Sequence, residues 1–102
     1  MTSTSKGNRA EKEAVDEYES RGWKVFRPVR CSRYSDKDIF NMFDLVAVKD
    51  GRLDFVQIKT ATTRGFLKIL EAWRLAHPIE GVTWQLWVRR DARKHSEKWK
   101  KY

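Results

Sequence analysis

The chain is expected to fold as an α/β domain, a central mixed β-sheet flanked by helices in the order α-β-β-β-α-β. Two observations carry that expectation. The stretch "FDLVAVKDGRLDFVQIKT", residues 43–60, holds two strand-like runs on either side of Asp50-Gly51, the strongest short-range hairpin signal a sequence offers. On both sides of it lie segments whose apolar residues recur with helical period, 5–21 and 62–78, so helices are available to cover a sheet.

The elements follow in order. "SKGNRAEKEAVDEYESR" reads as an amphipathic helix closed by Gly22, with Ala14, Val15 and Tyr18 as its apolar stripe. At about 100° per residue Glu11 projects onto that stripe, whereas Glu13 projects to the opposite side and reads as an ordinary solvated glutamate. "WKVFRPV", 23–29, is a strand with Pro28 marking an edge or its end. A polar, basic loop from Arg30 to about Asn41 follows, long for a compact domain. In the hairpin, both faces are largely apolar, as in strands covered on both sides. "TTRGFLKILEAWRLAHP", 62–78, is a second helix with Phe66, Ile69, Leu70, Trp73 and Ala76 inward and Pro78 past its end. "VTWQLWV", 82–88, is a strand with Val82, Trp84, Leu86 and Val88 on one face, and the tail adds a short strand around Trp99 to Tyr102.

At 102 residues the chain is expected to be a single domain spanning 1–102, small enough for a dimer to help its stability. No apolar run approaches the roughly 20 residues of a membrane span, and the N-terminus lacks a signal peptide's apolar stretch, so an intracellular protein with no membrane partner is expected. A single cysteine, Cys31, excludes an intramolecular disulfide framework and a Cys-rich zinc site. His77 and His95 lack a metal-ligand partner at a suitable spacing. Lys and Arg number 22 against 14 Asp and Glu, a net charge of +8, for which nucleic acid is the default partner. The last fourteen residues carry seven Lys or Arg and two acids, and Arg27, Arg30 and Arg33 form a second cluster. The bland reading of either cluster is a solvated tail or loop. The cations expected to grip phosphates are Lys6, Arg9, Lys12, Arg27, Arg30, Arg33, Arg64, Arg89, Arg90 and Lys94.

With a two-residue turn, Lys49 faces Arg52, Val48 faces Leu53, Val46 faces Phe55, and Asp44 falls opposite Gln57, about 5 Å away at Cβ. Lys59, two residues beyond Gln57, points to the same face. Phe43, Leu45, Val56 and Ile58 make up the other. A three-residue loop with a bulge would slip this register and weaken the convergence. An acid, a second oxygen donor and a lysine on one sheet face of a basic protein suit metal-dependent phosphodiester hydrolysis. A hard cation such as Mg²⁺ takes oxygen ligands and keeps several waters, and metal and lysine together stabilise charge on a phosphate and generate a hydroxide-like water.

"KGNRAEKE", "GWKVFR", "FDLVAV" and "VQIKT" together resemble the PD-(D/E)XK nuclease superfamily, and within it the archaeal-type Holliday junction resolvases, over roughly residues 6–60. That resemblance implies a restriction-endonuclease-like core and an active site of Glu11, Asp44, Gln57 and Lys59. It implies Mg²⁺ as cofactor, with Mn²⁺ as a substitute, held by Asp44, Gln57 and Glu11, and a homodimer acting on four-way or other branched DNA. The chain departs from the pattern at Phe43, where the family name has proline, and at Gln57, where glutamate is usual. The loop between Glu11 and Asp44 is longer than usual, and the C-terminal region is short. Two other readings stand beside it: a nicking or repair endonuclease of the same superfamily, and a non-catalytic basic DNA-binding module in which Asp44 and Lys59 form a buried pair.

Overall fold

The computed structural model describes residues 3–27, 39–40, 42–60, 64–90 and 98–102, with main chain alone for residues 3–8 and 64. The elements are α1 (Ser3–Ser20), β1 (Lys24–Phe26), β2 (Leu45–Lys49), β3 (Arg52–Lys59), α2 (Arg64–Ala76), β4 (Val82–Arg89) and β5 (Trp99–Lys101). Among the described residues the strands form one five-stranded sheet in the order β1-β2-β3-β4-β5. Only β3 and β4 run parallel, α2 carrying the chain between them, and every other pair is antiparallel. The fold is therefore α/β with a mixed sheet, and a helix covers each face.

Glycines set three of the joints. Asp50 and Gly51 both have positive φ, 47° and 78°, the signature of a two-residue type I′ turn whose twist matches that of the strands it joins. The resulting register pairs Lys49 with Arg52, Val48 with Leu53 and Val46 with Phe55, as expected. At the end of α1 the amide of Gly22 donates to Glu19 O and that of Trp23 to Tyr18 O. With Gly22 at φ 88°, this is a Schellman cap. Gly81 has φ 80°, and a Cβ there would stand 2.9 Å from the Gly51 carbonyl oxygen. Its own carbonyl accepts the Leu53 amide at 2.8 Å, so the turn into β4 is locked against the hairpin.

Two apolar cores lie on opposite sides of the sheet. On the α1 side are Ala10, Ala14, Tyr18, Leu45, Ala47, Val56, Ile58, Trp87 and Trp99. On the α2 side Phe43, Leu70, Trp84, Leu86 and Val88 are buried, with Phe55, Phe66, Leu67, Trp73 and Val82 packed against them. Two expectations need correction. α2 turns Leu67 inward and leaves Ile69 55% exposed, with Ala76 exposed as well. The buried face follows Phe66, Leu70 and Trp73 because these meet the aromatic surface of β3 and β4. Phe43 lies on the α2 side, not with Leu45. The Ile39 and Phe43 main chains bond to each other in both directions, at 2.7 and 2.9 Å, and this tight turn, followed by a break at Asp44, interrupts the alternation before β2 begins.

Asp54 departs from the largely apolar pattern expected of the hairpin. It is 4% exposed on the α1 side, where it accepts hydrogen bonds from Tyr18 Oη at 3.0 Å and Thr83 Oγ1 at 2.6 Å and pairs with Arg52 at 3.4 Å. Gln85 Nε2 donates to Thr83, and Trp87 Nε1 to Gln85, so the buried network is internally satisfied, as a polar group in a core must be. Burial and then the Asp54 charge push the Tyr18 phenol far above its usual range. Tyr18 remains a neutral donor.

Candidate active site

β3 runs three residues past the point where its partner β2 begins, because Leu45 pairs with Val56 while β3 continues to Lys59. The Ile58 amide on that side has no strand to bond. Asp44 fills the gap: its Oδ2 accepts the Ile58 N–H at 2.7 Å, while its own amide donates to Val56 O at 2.8 Å. Main chain and side chain thus bracket Gln57. Asp44 and Gln57 are each 8% exposed. The ladder pairs end at Leu45 and Val56, so Asp44 lies beside Gln57 through its bonds to the residues on either side of it, and its carboxylate turns along the strand edge toward Ile58 rather than standing on the Gln57 face.

Alternation along β3 puts Gln57 and Lys59 with Phe55 on the α2 side, opposite Val56 and Ile58. Lys59 Nζ lies 5.8 Å from the centroid of the Phe66 ring, within cation–π range. The structure brings Asp44, Gln57 and Lys59 to one end of the hairpin. Glu11 belongs to α1, which covers the other face of the sheet, and its side chain is half-buried. It thus stands in the layer opposite the face that carries Gln57 and Lys59.

Glu13 is the main correction among the acids. Expected in solvent, it accepts from Arg89 Nε at 2.9 Å and pairs with Lys98 Nζ at 2.9 Å, with only 22% of its side chain exposed. Burial raises its carboxyl pKa, but hydrogen bonds and charge from Lys98 and Arg89 more than offset this and leave it below the usual value. One turn on, Glu17 pairs with Arg21 at 3.3 Å and stands 3.8 Å from Lys101. The buried stripe extends to Ala10, one turn before Glu13, so Glu13 flanks the packed face instead of lying opposite it. What a single helix could not include was the end of β4 and the run into β5, which lie along that flank of α1 and supply Arg89 and Lys98.

The basic residues divide accordingly. Arg9, Lys12 and Arg27 are exposed. Lys6 lies in α1 and Arg64 opens α2, while Arg30, Arg33 and Lys94 lie outside the described residues. Arg89 is held by Glu13 and by the Arg90 carbonyl, and stacks 5.9 Å from the Trp99 centroid. Much of the tail charge therefore joins β4 and β5 to α1. Arg90, Lys98, Lys100 and Lys101 still line an open groove of about 680 Å³ beside Glu17 and Trp99.

The donors at the hairpin end are one buried carboxylate and one buried carboxamide, both hard oxygen groups. Among the described residues no cluster of three or more His, Cys, Asp or Glu side chains is grouped to hold a metal ion. Such a set suits Mg²⁺, which keeps most of its waters and binds through one or two protein oxygens plus substrate phosphate. It does not suit zinc. No helix among the described residues is long and apolar enough to cross a membrane. No protein-family model matches the chain, and no curated protein matches it significantly in sequence.

Proposed function

We propose that the chain is a Mg²⁺-dependent DNA endonuclease of the PD-(D/E)XK kind, acting on branched DNA in the manner of a Holliday junction resolvase. The observation that supports it most is the end of the hairpin: a buried acid bonded to the backbone of β3 on either side of a buried glutamine, with Lys59 two residues further along the same face. Asp44 and Gln57 would hold the cation, which when bound supplies Lewis-acid charge at a scissile phosphate and a more acidic water. The Ile58 amide fixes the Asp44 carboxylate, so this ligand is oriented before substrate arrives. Lys59, leaning on Phe66, presents its ammonium group to the phosphate or to the attacking water. Glu11 completes the set from α1. Arg9, Lys12 and Arg27 would hold the DNA backbone without reading base edges.

A four-way junction has two-fold symmetry and calls for two cuts, so a homodimer with one site per subunit is the assembly this reading requires. The outer side of α2 supplies an apolar surface for it in Ile69, 55% exposed, and Leu75, 85% exposed. Comparing cleavage of a four-way junction, a duplex and single-stranded DNA in Mg²⁺ tests the reading. Preference for the junction is expected, whereas nicking of plain duplex would favour a repair endonuclease of the same superfamily. A second reading has its own support. Asp44 already has structural work as the cap of the Ile58 amide, which fits a basic DNA-binding module that cuts nothing, and binding of all three DNAs without cleavage would establish that instead.

A further inference from the structure

The geometry points to Phe40 as a stacking platform for an unpaired nucleobase beside the proposed cleavage site, an inference that rests on the nuclease reading and adds a substrate feature to it. Phe40 is 58% exposed, although it is among the largest apolar residues of the chain. A scattered exposed aromatic would need no explanation. Phe40 differs in its backbone and in its support. Its φ is 56°, the left-handed region that a bulky side chain rarely enters and that clusters at functional sites. The turn that imposes this is closed by hydrogen bonds from Ile39 N to Phe43 O, Phe43 N to Ile39 O and Met42 N to Ile39 O. Behind the exposed ring stand three others, with centroids at 5.7 Å (Trp73), 5.9 Å (Phe55) and 6.5 Å (Trp84). The ring is therefore backed by aromatic surface while much of the residue is open to solvent.

Its position supplies the occupant. Phe40 precedes Asp44 by four residues, and Phe55 precedes Gln57 by two on the same face of β3. At about 3.3 Å per residue, Phe55 and Gln57 are separated by about 6.6 Å, the span of about two stacked nucleotides at 3.4 Å each. A base stacked on Phe40 would then belong to a nucleotide within a few positions of the phosphate at Asp44 and Gln57. In a chain of net charge +8, a nucleic acid strand is the partner that suits both the exposed ring and the overall charge of the molecule, since base stacking tolerates any sequence. Paired duplex offers no free base face. A branch point, bulge or single strand does.

A two-by-two binding cycle in Mg²⁺-free buffer with EDTA tests this, using wild type and Phe40→Gly against a duplex with one unpaired nucleotide and the same duplex with an abasic residue there. Glycine suits the positive φ, which offsets part of the packing lost with the ring, and thermal melting checks that the variant is folded. Wild type should bind the base-containing bulge about tenfold more tightly than the abasic one, and Phe40→Gly should bind both alike. Phe40→Trp should keep the preference. An equal preference in wild type and Phe40→Gly overturns the proposal. So does a loss of dimer mass in sedimentation of Phe40→Gly without DNA, which would give this surface to a protein contact. Wild-type cleavage with Mg²⁺ is scored separately. If it is absent the nuclease reading falls, while the binding cycle still decides the stack.

Discussion

At the scale of single residues, Asp44 carries two separable roles, and two substitutions separate them. Asn keeps an oxygen to accept the Ile58 amide but removes the charge, so Asp44→Asn should abolish cleavage while leaving the denaturant midpoint near wild type. Asp44→Ala also orphans a buried N–H, a loss of about 1–3 kcal/mol, and should shift the midpoint as well. Equal stability of the two variants would remove the capping role. Cleavage by Asp44→Asn would remove the catalytic one. Lys59→Ala should likewise lose cleavage and keep DNA binding. Gln57 offers a gain instead: Gln57→Glu adds a negative charge beside Asp44, so the Mg²⁺ concentration for half-maximal cleavage should fall. Unchanged metal dependence would mean that Gln57 is not a ligand.

At the scale of elements, the pairing of α1 with β4 and β5 is the feature that changed an expectation. Glu13 bridges Arg89 and Lys98, so Glu13→Gln should cost roughly 0.5–1 kcal/mol near neutral pH, the range for partly exposed pairs. Its folded pKa lies below the ordinary value of 4.5, so the unfolded chain binds more protons in the interval between the two. The stability Glu13 contributes is therefore full above its unfolded pKa and lost as pH falls through the folded one. The midpoints of wild type and Glu13→Gln should converge in acid, and a gap that persists below both values would refute the ion pair as its cause. The loop into β4 gives a second case. Gly81→Ala meets both a positive φ and the Gly51 carbonyl oxygen at 2.9 Å, and should cost about 1–3 kcal/mol, measured in urea.

At the scale of the whole molecule, charge and assembly decide the partner. With +8 on 102 residues, binding to duplex arms should weaken with salt at a log-log slope of about 0.9 per phosphate contact. Because Arg89 and Lys98 are paired with Glu13, removing either should change that slope less than removing Arg9 or Arg27. Sedimentation in dilute buffer tests the homodimer, and Leu75→Glu on the outer face of α2 should convert it to monomer without unfolding it. A wild-type monomer that stays monomeric on junction DNA yet makes paired symmetric cuts would contradict the two-fold arrangement.

The sequence by itself determined what depends on neighbours along the chain. Asp50-Gly51 dictated a type I′ turn, that turn dictated the register from Leu45 to Lys49, and alternation along β3 put Gln57 and Lys59 on one face. Gly22 closed α1, and the alternation in β4 sent Val82, Trp84, Leu86 and Val88 to one side. Tertiary structure decided whatever depends on residues far apart. The rotation of α2, which packs Leu67 against the core and exposes Ile69, follows from the aromatic surface it meets. The change of side at Phe43 follows from the turn at Ile39, and the lean of the Asp44 carboxylate from an Ile58 amide that β2 is too short to satisfy. Glu13 looked solvated because a helical wheel contains one helix, and its partners, at the end of β4 and just before β5, arrive more than seventy residues later. Local periodicity fixes which way a side chain leaves its own element. Only the packing of the elements fixes what it finds there.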